Sequence, residues 1–154
     1  MKQTPEMDQI QNNMKPRKLT RDGFLGNDNR NLIDILIDDD AKVKRLNLTH
    51  EIIAQKMQYF KEKGISGLGD FVNVDNYFEV KTEIFRGKLA CPFKHKGLYR
   101  KSIIIVKNKK LNKQIMYSDM LIHLIEEHGF YEGKGSPFRL EPEEIVEVLE
   151  INNN

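Results

Sequence analysis

Tryptophan is absent from this chain, and cysteine occurs once, at Cys91. A single thiol excludes an internal disulfide framework and fits a reducing compartment, so a cytoplasmic protein is expected. Without tryptophan, eight Phe and five Tyr must supply the large pieces of a core. Long apolar runs are missing too. The longest, Ile103 to Val106, falls far short of the roughly 20 residues that a membrane-spanning helix needs. The opening Met-Lys-Gln-Thr-Pro-Glu has no apolar stretch behind its positive charge, so neither a secretory signal nor a membrane partner is expected. No serine nucleophile elbow, dinucleotide fingerprint, P-loop or calcium loop occurs.

What is present is unevenly distributed. The net charge of +2 over 154 residues conceals a block from Lys81 to Lys113 with eleven basic residues against one acid, Glu83. Such a block attracts nucleic acid or another polyanion by releasing counterions. It also suits solvated strands, on which lysines discourage edge-to-edge aggregation.

The chain opens with Thr4, Pro5 and Glu6, a good helix start. The apolar content behind it (Met7, Ile10, Met14) is thin, so residues 1–22 are expected to form a flexible arm. Phe24-Leu25 follows as a small apolar plug between Gly23 and Gly26. Leu32, Ile33, Leu36, Ile37 and Val43 recur at helical spacing over Asn29 to Leu46, with Asp38-Asp39-Asp40 as a candidate break. Thr49 caps a second helix through Lys63, stopped by Gly64.

The period then changes. Phe71 to Val74 reads as a short strand, and Phe78 to Ile84 as a half-buried one. Ser102 to Val106, apolar on both faces, reads as a central strand, and Gln114 to Tyr117 as a third after a polar turn. Ser118 caps a helix from Asp119 to His128 with Gly129 as its stop, and a glycine-rich loop leads to a last helix at Glu141-Pro142. The order implies an α+β fold: N-terminal helices, a small antiparallel sheet, then C-terminal helices joined by that loop. Residues 23–151 form one domain in this reading, with a helical part at 29–64 and a sheet and Cys/His part at 71–151.

Four of the five Cys and His residues, Cys91, His95, His123 and His128, fall within 38 positions. Loop ligands, a hairpin and then helix ligands are the layout of a small structural zinc site, for which one thiolate and three imidazoles suffice. Five residues along a helix leave His123 and His128 about 140° apart, so their convergence is expected to need an opened last turn. A three-ligand version would leave a position for catalysis, with Glu126 or Glu127 as base. Without a metal, Cys91 is a small core residue and His128 is favoured by the helix dipole. His50 reads as ordinary surface.

The loop Glu132-Gly133-Lys134-Gly135-Ser136-Pro137-Phe138-Arg139 has two readings. Exposed backbone N–H groups with Lys134, Ser136 and Arg139 would bind an anion. Alternatively the glycines make a tight connection and Arg139 pairs with Glu141 or Glu143. Leu48 to Ala54 has the pattern of a first helix in a helix-turn-helix, but Ile65 to Gly69 intervenes where a recognition helix should follow.

Cys91-Pro92-Phe93, His123 to Phe130 and Glu132 to Ser136 together resemble segments of uncharacterised small bacterial proteins, over about Gly23 to Ile151. The resemblance implies a bacterial origin and brings no activity. Three functions follow from the residues themselves. The first is a non-enzymatic protein with a zinc or buried Cys/His site and a basic face for nucleic acid or another polyanion. The second is a hydrolase using His123, His128 and Glu127 on a phosphate-bearing substrate held by Lys134, Ser136 and Arg139. The third is a plain protein–protein interaction module.

Overall fold

The computed structural model of the chain describes residues 2–94 and 96–152. Its elements run α1 (Pro5–Asn13), α2 (Leu32–Arg45), α3 (His50–Ile65), β1 (Val72–Val74), β2 (Phe78–Ala90), β3 (Leu98–Asn108), β4 (Lys113–Ser118), α4 (Asp119–His128) and α5 (Pro142–Leu149). The architecture is α+β. The sheet is a meander in the order β1-β2-β3-β4 with every pairing antiparallel, so no crossover is required. No helix among the described residues is long and apolar enough to cross a membrane.

Local chemistry explains the helix starts. The Thr4, Thr49 and Ser118 hydroxyls each accept a backbone N–H from the first turn of the helix they precede, satisfying donors that have no partner within the helix. Helix α2 starts later than the periodicity suggests, after Asn31, which makes no side-chain cap. Its first amides are served from outside the helix. Gln11 Oε1 accepts from Leu32 N–H at 2.9 Å and Gln3 Oε1 from Ile33 N–H at 2.8 Å. This docks the N-terminal segment, which was expected to hang loose: Met14 is fully buried, and Asn13 reaches the Pro92 carbonyl.

The triple Asp does not break α2, because each carboxylate meets a cation. Asp38 pairs with Arg30 and Lys42, and Asp40 with Lys44. Asp39, 1% exposed, receives two bonds from Arg139 at 2.6 and 2.9 Å. A planar guanidinium holding both carboxylate oxygens is the geometry in which a buried ion pair is best satisfied.

Two apolar clusters meet across α4. The larger joins α3, α5 and the inner face of the sheet around Phe60, Val80, Ile104, Tyr117 and Ile145. Tyr117, fully buried, donates its hydroxyl to the Met57 carbonyl at 2.8 Å. The smaller cluster joins the N-terminal segment (Met14, Phe24, Leu25) to Leu32, Ile35, Met120, Leu124, Phe130 and Cys91.

Strands β2 and β3 extend well past their apolar cores. Beyond Ile84 and Ser102 they pair only with each other, down to Ala90 opposite Leu98, with a register shift between Phe85 and Lys88. Gly87 takes φ of 102° within that bulge, a conformation that favours glycine. The result is a two-stranded ribbon that carries much of the basic block and ends at Cys91.

Candidate metal centre and basic cleft

The end of the ribbon lies against the end of α4, bringing three sulfur and nitrogen donors together. The available ligand atoms of Cys91, His123 and His128 all lie within 4.8 Å of one another. Cys91 Sγ stands 3.6 Å from His128 Nε2, and the two imidazole rings meet edge to face at 5.4 Å. The helix does not open to allow this. It stays regular through His128 and closes on Gly129 in the left-handed conformation, so side-chain reach alone bridges the 140° between the rings. His95, the fourth residue of the expected set, lies outside the described residues.

Aromatic rings hold the donors in place. Phe93 stacks on His128 at 3.9 Å and 7°, and Tyr99 on His123 at 4.1 Å and 24°. Cys91 is 3% exposed, and the Phe93 N–H donates to its sulfur at 3.4 Å. The thiolate is the form that binds metals. Burial, with the Cys91 sulfur and Glu127 nearby, pushes the Tyr99 phenol up.

The loop after α4 takes up its polar side chains internally. Ser136 Oγ donates to Glu132 Oε1 at 2.6 Å, and Arg139 binds Asp39 and Glu141. Lys134 donates its backbone N–H to Asp28 while its side chain faces solvent. Gly133 N–H donates to the Phe24 carbonyl and Asn27 N–H to the Lys134 carbonyl. A Cβ at Gly26 or Gly133 would collide with the opposing backbone. The glycines thus allow two backbones to approach closely. Lys134, Ser136 and Arg139 therefore do not assemble an anion cradle, since Arg139 and Ser136 already satisfy internal carboxylates. Glu132 itself is 3% exposed, and burial pushes its carboxyl up to about 7.

A hollow beside His128 is lined by Asp40, His50, Glu51, Glu126 and Glu127. No residue of the 132–139 loop lines it, and its four acids oppose a phosphate-bearing substrate. Within it lies a feature the sequence did not suggest. His50 Nε2 meets Asp40 Oδ1 at 3.1 Å and Nδ1 meets Tyr131 Oη at 2.9 Å. Lys44, together with His50, holds the Asp40 carboxyl below its usual range, while burial raises the Tyr131 phenol. A Cβ at Gly129 would stand 2.8 Å from His50 Nε2, so this glycine both ends α4 and makes room for the chain.

Neither family models, curated proteins nor solved structures gave a match to this chain. Its geometry is what remains to read. Beside the ribbon lies a cleft of about 650 Å³ between β2, β3, the turn after α1 and the loop after α4. Arg17, Lys18 and Arg21 help to line it. All three fall within residues 1–22, and their neighbours across the cleft are distant in the chain.

Proposed function

We propose that this is a non-enzymatic binding protein. Cys91, His123 and His128 hold a structural zinc ion that pins the end of the ribbon to α4, and the ribbon's basic face meets a polyanionic partner. One observation carries the metal reading, the donor spacing. Zinc bonds of about 2.0–2.3 Å at tetrahedral angles set ligand atoms roughly 3.3–3.8 Å apart. Cys91 Sγ and His128 Nε2 stand at 3.6 Å. The zinc would be structural, supplying a cross-link between a loop and a helix. His95 is the fourth donor in this proposal, by its Cys-x3-His spacing from Cys91.

Support for the partner comes from charge. The exposed ribbon residues include Arg86, Lys88, Arg100 and Lys101, where counterion release gives a salt-dependent attraction to polyanions.

Elemental analysis of untagged protein, beside the Cys91→Ser/His123→Ala double variant, tests the metal. The expected result is one zinc per chain in the parent, lost in the variant together with a lower Tm. Metal-free parent protein, purified without chelator and melting like the variant, would overturn the reading.

A further inference from the structure

The cleft between the ribbon and the N-terminal turn changes character from mouth to floor. Its mouth is cationic: Arg17, Lys18, Arg21, Arg100 and Lys101 all line it and are all exposed. Asp22 is the one exposed acid in the lining, and it is paired with Arg21 at 3.5 Å. Deeper in, the walls are apolar, with Phe24 and Met120 buried and Phe138 half-buried. Phe85, 49% exposed, presents a ring at the ribbon side.

Cations outside and aromatic walls inside suit a flat ring carried on an anionic backbone. A phosphate is disfavoured at depth, where the wall includes the buried acid Glu132 and desolvating a charge is costly. A nucleobase has no such difficulty. It offers a π-face to Phe85. Bases stacked inside a duplex cannot enter a cleft, whereas unpaired ones can. The positive charge also continues past the cleft onto Arg86 and Lys88 of the ribbon, which favours a strand over a lone nucleotide.

We infer that this cleft binds single-stranded nucleic acid, seating one unpaired base against Phe85 while the phosphates lie along Arg17, Lys18, Arg100 and Lys101. The inference rests on the polyanion reading of the basic face and adds to it a partner and a place.

Fluorescence anisotropy with the full, metal-replete chain tests it. The probes are a dye-labelled oligothymidylate, an abasic strand of equal length and charge, and a duplex of equal length. The thymidylate strand should bind about tenfold more tightly than the abasic one, as expected for one base stacked on an aromatic ring. The duplex, with twice the phosphates, should bind by charge alone and be insensitive to Phe85→Ala. Phe85→Ala should bring the thymidylate strand down to the abasic level and leave abasic binding unchanged, and Phe85→Tyr should retain the preference. Arg100→Gln should weaken both strands alike and reduce the salt slope. If the thymidylate and abasic strands bind equally with steep salt dependence, or if Phe85→Ala has no effect, the cleft inference falls while the polyanion reading stands. If no probe binds at low salt, both fall.

Discussion

From Phe78 to Glu83 on β2 and from Ile103 to Asn108 on β3, the two long strands lie inside the sheet. Val80, Ile104 and Val106 there are 0% exposed. From Ile84 to Ala90 and from Leu98 to Lys101 the same strands are joined only to each other, and Ile84, Phe85 and Leu98 are 50%, 49% and 61% exposed. One hairpin thus contains two regimes. In the inner half, burial dictates the residue at every second position. In the outer half burial dictates nearly nothing, yet the composition is sharply biased toward Lys and Arg with interspersed aromatics. A bias that packing does not impose points to the solvent side, where partners are met. The Cys91, His123 and His128 cluster sits at the outer end, where a two-stranded ribbon on its own is marginal and most in need of an anchor.

The largest test of that contrast compares charges. Arg139, whose side chain is 7% exposed, holds Asp39 at 1%, so Arg139→Met strips a buried carboxylate of both its hydrogen bonds, leaving only Lys42 at 3.7 Å, and should cost about 3–5 kcal/mol. Lys88→Gln on the ribbon should change stability by less than about 0.5 kcal/mol. Chemical denaturation of both variants measures this, and comparable losses would erase the distinction. Apolar positions sharpen it next. Ile104→Ala should lose about 2–5 kcal/mol through transfer and cavity effects, and Leu98→Ala on the ribbon about 0.5 kcal/mol or less.

A separate, pH-dependent test concerns Glu132. Its carboxyl is raised in the folded protein from 4.5 to about 7. Folding therefore favours the neutral acid. The associated stability is fully present below the unfolded value and is lost as pH rises through about 7. Glu132→Gln should flatten that decline, seen in denaturation midpoints compared below the unfolded value of 4.5 and above about 7. An unchanged pH profile would mean that another group causes it.

What could be read directly from the chain was what neighbouring residues decide. Thr4, Thr49 and Ser118 marked helix starts, Gly129 a helix end, and alternation marked the inner strands. The clustering of Cys91, His123 and His128 was also legible, since ligand spacing is local on each side of one hairpin. The ribbon was not, because strands exposed on both faces lose the period-two signal. Nor was the docking of α1, which depends on Gln3 and Gln11 serving amides 30 and 21 residues away. His50 looked like surface because Tyr131 lies 81 positions on. Polar partners at such separations leave no periodic trace in either segment.

The Asp39–Arg139 pair spans 100 positions, and this separation orders events during synthesis. Helix α2 leaves the ribosome long before Arg139 does. Until then Asp39 has no guanidinium to enter the interior with, and the backbone bonds between residues 24–27 and 133–134 are also unavailable. The meander and α3 can collapse early, since their contacts are sequential. The Asp39 side of α2 has to wait, solvated, for Arg139. A ribosome stalled before Arg139 would carry a nascent chain whose Asp39 remains open to solvent, and the emergence of Arg139 would close it in a single step.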